Sequence, residues 1–351
     1  MGGIRIGHPG LRCWVAVLLI AGFLPGCGPD LPETLPRQEP SQVLADNQAR
    51  IVSSLNRYGP SVSIRSSHPW RIAFLMKNFA WASPYWRRTH EGAESASSEA
   101  GTFIRVLGVD RFAIEQQIRQ VDALIADGRT DGIIIAPLDS NRLSPVVEKA
   151  VVSGIPVLVY DTPLNADHTL TFLGFDNFGA GRLLGRWVVE QIGGKGNVLI
   201  LEGPPGNQNA LDRRNGMIAG LSEGDINVLG MGTARWQRQQ AEEITTAWLE
   251  RHARVDAIMA ADDVMALGAA DAIAKAGRSN ILVTGFDANA EALVAIRAGR
   301  LNATIAQAPQ QQARRAVQLM IRHLQSGVLF PPTLLFDSIH LITAENVTDY
   351  Q

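Results

Sequence analysis

From residue 71 onward, short apolar runs alternate with helix-length amphipathic stretches. The runs are 72–76, 103–107, 132–136, 157–160, 172–175, 198–201, 228–231, 257–259, 282–284 and 303–306. Several are apolar at nearly every position, as in strands covered on both faces. Between them, 113–126 places Ile114, Ile118, Val121 and Ile125 on one helical face, and 241–251 and 313–324 repeat the pattern. Such alternation predicts parallel sheets with crossover helices. Ten strands exceed one ordinary sheet of roughly four to six, so two sheets and two lobes are expected. The predicted class is α/β, with two Rossmann-like lobes.

The runs end in polar residues. Val159-Tyr160 leads into Asp161, Gly174-Phe175 into Asp176, Ala260-Ala261 into Asp262, Gly285-Phe286 into Asp287 and Ile305-Ala306 into Gln307. Open α/β sheets bind ligands at the carboxyl ends of their strands, so these groups converge on one rim. Asp176, Asp262 and Asp263 also precede helical runs (180–192 and 264–275), and capping alone would explain them, above all Asp176 and Asp263. Asp161, Asp287 and Gln307 resist that reading, because Thr162-Pro163 and Ala308-Pro309 break the chain near them.

Before residue 71 the pattern changes. Arg5 and Arg12 precede an apolar run, 13–24, too short to span a bilayer but long enough for a signal-peptide core. It ends in Leu24-Pro25-Gly26-Cys27, which resembles the lipobox of bacterial lipoproteins, with Pro25 a departure from its usual pattern. The expectation is a lipoprotein signal peptide over 1–26, with Cys27 as the lipidated residue. Cys13 would be discarded, leaving no thiol for a disulfide. Residues 27–70 carry Pro29, Pro32, Pro36 and Pro40 and a short helical pattern near 43–55, and read as a stalk.

Composition narrows the function. The chain has 351 residues, long enough for two domains, and is 46% hydrophobic and 19% charged, as globular proteins are. Without 1–26, 30 basic side chains face 34 acidic ones, so no nucleic-acid surface is expected. Catalysis lacks support: there is no Gly-x-Ser-x-Gly, no His-Glu-x-x-His and no Cys/His metal spacing, and the seven His are scattered. Gly203-Pro204-Pro205-Gly206 lacks the Lys-Ser/Thr of a phosphate loop and reads as a tight turn, as does Gly193-Gly194-Lys195-Gly196. No catalytic residue, metal or cofactor is expected.

The rim suits a polyhydroxylated ligand. Carboxylates and amides fan several hydrogen bonds onto neighbouring hydroxyls, and Arg adds a rigid fork of donors. Aromatic faces cover C–H faces and exclude water. Candidates are Ser83, Tyr85 and Trp86 after the first strand, Trp236 after the 228–231 run, and Arg213, expected to open a helix over 213–221. Trp70 and Trp81 are expected to be structural.

These residues carry a resemblance. From Arg71 to about Thr343 the chain resembles the ribose/galactose-type periplasmic binding proteins of ABC transporters. The stretches are Thr130-Asp131-Gly132-Ile133-Ile134-Ile135-Ala136-Pro137, Ile155-Pro156-Val157, Asp262-Asp263-Val264-Met265-Ala266-Leu267-Gly268, Gly285-Phe286-Asp287 and Ala303-Thr304-Ile305-Ala306-Gln307. The resemblance implies a pocket between lobes joined by a three-segment hinge near 174–177, 307–308 and 336–337. One lobe would take 71–175 plus 308–336, the other 176–307 plus 337–351. The family's pocket positions fall on Ser83, Tyr85, Trp86, Asp161, Thr162, Arg213, Trp236, Asp262, Asp287 and Gln307. Thr162 stands where ribose binders carry Arg, and Ser83 and Asp262 where they carry Asn. Ribose itself is therefore disfavoured, and a more acidic pocket is expected, suited to a ligand rich in hydroxyl donors or to an amine.

The implied protein is a monomer anchored in the periplasm by lipid, passing a small carbohydrate or polyol to a transporter permease. The alternative is a receptor presenting that solute to a histidine kinase or chemoreceptor. A transcription regulator would need a helix-turn-helix and a basic N-terminus, and an enzyme would need a nucleophile or base; the sequence supplies neither.

Overall fold

The computed structural model describes residues 64–110, 113–336 and 339–350. The signal segment, Cys27 and the helical pattern near 43–55 lie outside the described residues. No described helix is long and apolar enough to cross a membrane.

There are two six-stranded sheets. The first holds β1 (Arg71–Leu75), β2 (Phe103–Leu107), β3 (Gly132–Ile135), β4 (Val157–Asp161), β5 (Thr171–Phe175) and β11 (Thr333–Phe336). The second holds β6 (Lys195–Glu202), β7 (Asp225–Thr233), β8 (Ala257–Ala260), β9 (Leu282–Thr284), β10 (Ala303–Ala306) and β12 (His340–Thr343). Their orders are β11-β5-β4-β3-β1-β2 and β12-β10-β9-β8-β6-β7, the same winding twice. β12 runs antiparallel to β10, while the other ladders are parallel. The chain passes between sheets after Phe175, after Ala306 and after Phe336.

The central strands β1, β3, β4 and β8 are buried because helices cover both faces. Helices Pro84–Ala100 and Pro309–Ser326 share one core with the first sheet, and Ile114–Asp127 and Ser144–Val152 build the core on its other face. The second sheet is packed by Asn177–Gln191, Gln208–Leu221, Arg238–Arg251, Asp263–Lys275 and Ala290–Arg297. One close approach bears on the site. A Cβ on Gly181 would lie 2.4 Å from the Arg213 carbonyl oxygen, and one on Gly216 2.2 Å from that of Phe178. Helices Asn177–Gln191 and Gln208–Leu221 therefore meet backbone to backbone, which fixes Asn209 and Arg213 over the cleft.

The differences from the sequence reading have physical reasons. β6 and β7 begin three residues earlier than their apolar runs, at Lys195 and Asp225, because their first residues pair the backbone while keeping polar side chains in solvent. β11 and β12 are edge strands of only four residues, too short to stand out as separate runs. Helix Gln208–Leu221 starts with Asn207, whose side chain accepts from the Ala210 N–H, so Arg213 sits within the helix rather than opening it. Trp70 packs against the first-lobe core, but Trp81 is 83% exposed and stacked on Phe79, not part of a core.

Candidate ligand-binding site

In a sheet wound in this order, the crevice opens where strand direction of travel reverses, beside the first and third strands. In the first sheet this brings Lys77 and Asn78 after β1, and Leu138 and Asp139 after β3, to one cavity. In the second sheet it brings Pro204, Pro205 and Asn207 after β6, and Asp262 after β8. The cavity is about 200 Å³ and lies between the two sheets' carboxyl ends.

The second-lobe wall is built around Arg213, which is 5% exposed. Its Nε donates to Asn177 Oδ1 at 2.8 Å, and its Nη1 donates to the Ala261 carbonyl at 2.7 Å and to Asp287 Oδ1 at 3.5 Å. The guanidinium lies 3.8 Å from the centroid of the Phe286 ring and 5.7 Å from that of Trp236. Among the described residues nothing accepts from its Nη2, so two donors face the cavity. Asp287 Oδ1 also accepts from Gln307 Nε2, while Asp287 Oδ2 and Gln307 Oε1 keep their acceptor capacity. Burial pushes the Asp287 carboxyl up to about 6, against the pull of Arg213 and Gln307. Asp287 is held at φ 110° and its neighbour Ala288 at φ 51°, backbone states that L-residues seldom adopt.

Trp236 closes this wall, with Arg235 and Trp236 both in the left-handed region at φ 51° and 58°. The indole fits only because Gly203 has no side chain: a Cβ there would lie 2.2 Å from its ring atoms. Asp262 both lines the cavity and caps helix Asp263–Lys275 by accepting from the Met265 N–H at 2.8 Å. Asp263, which the sequence offered as a cap, lies beneath it, accepting from Thr304 Oγ1 at 2.6 Å and the Asn289 N–H at 2.7 Å. Asp176 caps helix Asn177–Gln191 through the Gly179 N–H.

The first-lobe wall is different. Asp161, at φ 64°, accepts from Tyr85 Oη at 2.7 Å on Oδ1. Its Oδ2 accepts from Lys77 Nζ at 2.6 Å, Thr162 Oγ1 at 3.0 Å and Asn209 Nδ2 at 3.3 Å. Burial would raise this carboxyl, but Lys77 and Tyr85 hold it below the usual carboxylate range. Lys77 is lowered by its own burial. Tyr85 is raised well above the usual phenol range, by burial first and by the Asp161 charge second. Tyr85 and Trp86 meet edge to face at 5.1 Å between centroids.

Nine of the ten positions read from the sequence line the cavity: Ser83, Tyr85, Trp86, Asp161, Arg213, Trp236, Asp262, Asp287 and Gln307. Thr162 does not: it is fully buried behind Asp161, and its hydroxyl accepts from Lys77 Nζ and donates to Asp161. The expected gain in acidity from Thr162 is corrected by the same geometry, because Lys77 places an ammonium against Asp161. Lys77 and Asn209, which are not among those ten, also line the cavity. Each left a signal: Lys77 stands two residues past the end of β1, and Asn209 precedes Arg213 by four, one helical turn on the same face. Gly203-Pro204-Pro205-Gly206 does turn, with Gly206 at φ 80°, but it also supplies cavity wall and the space for Trp236.

Residues 72–327 match the family model described as a periplasmic binding protein domain. The chain is 33% identical over 188 residues to the xylitol-binding protein of Mycolicibacterium smegmatis, a match covering 53% of this chain and 54% of that protein. It is 28% identical to the D-allose-binding periplasmic protein of Escherichia coli, over 71% of this chain and 84% of that one. Among solved structures, a periplasmic solute-binding protein from Actinobacillus succinogenes with bound D-allose superposes with a TM-score of 0.75 at 31% identity, covering 80% of this chain and all of that one. The Caulobacter myo-inositol-binding protein does so at 0.74 and 27%, covering 82% and 97%. Relatives and structures alike are solute-binding proteins rather than enzymes. With the family model spanning well over half its length, this chain is a non-enzymatic member of the periplasmic binding protein family.

Proposed function

We propose that this protein captures a sugar or polyol between its lobes in the periplasm and delivers it to an ABC transporter. The observation that carries this reading is the second-lobe wall. Arg213 Nη2, Asp287 Oδ2 and Gln307 Oε1 offer donors and acceptors with no hydrogen-bond partner among the described residues, flanked by the indole of Trp236. Adjacent hydroxyls, each donor and acceptor, match that alternation, and the aromatic faces of Trp86 and Trp236 suit the C–H faces of a ring. The polar lining also includes Ser83, Asn78, Asp139 and Asp262, with Tyr85, Lys77 and Asp161 bonded to one another on the first lobe. The names of relatives that bind allose, ribose, xylitol and myo-inositol favour the same ligand class.

Closure is a hinge motion about the three crossings, with 71–175 and 308–336 moving against 176–307 and 337–351. Lipidation at Cys27 would hold the protein at the membrane, which a Cys27→Ser variant released into the soluble periplasmic fraction would support. The functional test is a thermal-shift panel of pentoses, hexoses, inositols, polyols and amino acids. A ligand at a hundred times its Kd adds about 2.7 kcal/mol to the folded state. A shift from one sugar or polyol supports the reading; a shift from amino acids alone overturns it.

A further inference from the structure

Asp161 presents an anomaly for a ligand-binding carboxylate. An ionised carboxylate has about four acceptor sites, and four protein donors already point at this one. Three come from its own lobe, namely Lys77, Tyr85 and Thr162. The fourth is Asn209 Nδ2, from helix Gln208–Leu221 of the opposite lobe, 48 residues along the chain. The amide's orientation follows from its partner: a carboxylate only accepts, so the atom facing Asp161 is the nitrogen. That turns Asn209 Oδ1 inward, where it is buried with no partner among the described residues. A second bond across the cleft, Arg88 Nη1 to the Ala288 carbonyl at 3.3 Å, lies outside the cavity lining.

We infer that Asn209 and Asp161 form a latch that holds the lobes closed, making Asn209 a positioning residue that sets affinity for every ligand equally rather than a reader of one hydroxyl. The inference rests on reading the cleft as the ligand site. Lys77, Tyr85 and Thr162 preassemble Asp161 within one lobe, so the carboxylate waits in fixed geometry for the amide from the other. Because Oδ1 loses water without gaining a donor, the latch is only part-satisfied and closure stays reversible. The fraction closed before binding divides into the intrinsic dissociation constant, so loss of the latch weakens all ligands by one factor.

The test compares the full chain with Asn209→Leu and Asn209→Asp variants. Asn207 caps the helix, so its start is kept in both, and thermal melting verifies that each folds. Small-angle scattering of the ligand-free proteins reads closure directly. The expected radius of gyration increases from wild type to Asn209→Leu to Asn209→Asp, since the last sets a carboxylate against Asp161. Titration with the sugars that bind the wild type is expected to show Asn209→Leu weakened by about tenfold, the same for each. An unchanged radius of gyration in both variants overturns the latch. A loss that varies from sugar to sugar overturns it as well and makes Asn209 a direct contact. If no sugar binds the wild type, the reading of the ligand class fails, while the scattering comparison still decides the latch.

Discussion

The two walls of the cleft use the same residue types to opposite ends. On the first lobe, Asp161 is saturated by Lys77, Tyr85, Thr162 and Asn209, and its polar capacity is spent inside the protein. On the second, Arg213 and Asp287 hold each other at 3.5 Å yet keep Nη2 and Oδ2 unengaged. Charge type therefore says little about role; what matters is how many of a group's hydrogen-bonding sites the protein has already filled. On the proposed reading, ligand discrimination would sit mainly on the second lobe, while the first would contribute aromatic cover and an anchor for closure.

The sharpest way to break that comparison is Asp287→Ala. It removes the unengaged acceptor and leaves Arg213 and Gln307 without their shared partner, so affinity is expected to fall at least about a hundredfold. The fold should survive, because the carboxyl is costly to bury: its value near 6 shows that the protein disfavours its charge. Titration calorimetry with thermal melting separates the two effects; unchanged affinity would move recognition off this wall. Next in size is Trp236. Removing its face by Trp236→Ala is expected to cost more than tenfold, and Gly203→Ala about tenfold, because the added Cβ displaces the indole it would meet at 2.2 Å. Equal affinity in Gly203→Ala with a normal melting temperature would show that the ring's position is unimportant.

A pH titration sharpens the same point with two opposite signs. Asp287 rises from 3.8 to about 6 on folding, so the folded state holds its proton more tightly than the unfolded chain. Its contribution to stability is therefore full below the unfolded value and is lost as pH rises through the window from about 4 to 6. A ligand hydroxyl donating to the ionised form gives affinity the reverse trend, rising about tenfold per pH unit up to 6 and flat above. Affinity that is flat across that window would mean that the ligand does not meet Asp287 Oδ2.

Much of this was legible in the sequence, and the exceptions have causes. Most strands came through because buried parallel strands are apolar on both faces, as Gly132-Ile133-Ile134-Ile135 shows. β11 and β12 did not, since each is only four residues long, Thr-Leu-Leu-Phe and His-Leu-Ile-Thr, too short to stand out as a separate run. Polar residues at strand ends pointed to the cavity because chain geometry puts them there, whatever they bond. What the sequence could not show is pairing between distant positions. Lys77 and Thr162 are 85 residues apart, and only the fold reveals that an ammonium stands against Asp161 and Thr162. Likewise the resemblance puts Thr162 among the pocket positions, yet β4 ends so that it turns inward.

The smallest predicted effect is also the most direct check on the first lobe. Ser83 precedes helix Pro84–Ala100 in an extended conformation, and its hydroxyl makes no capping bond although the position favours one. It faces the cavity, so it is a first-lobe oxygen that a ligand hydroxyl can reach without competing against a protein partner. If recognition sits on the second lobe, Ser83→Ala removes a single neutral hydrogen bond that water replaces in the free state, and affinity falls by no more than about fivefold. The melting temperature should hardly move, since no capping bond is lost. A fall beyond about thirtyfold, confined to ligands with one particular hydroxyl, would mean that the first lobe reads the ligand too, through Ser83 in place of the saturated Asp161.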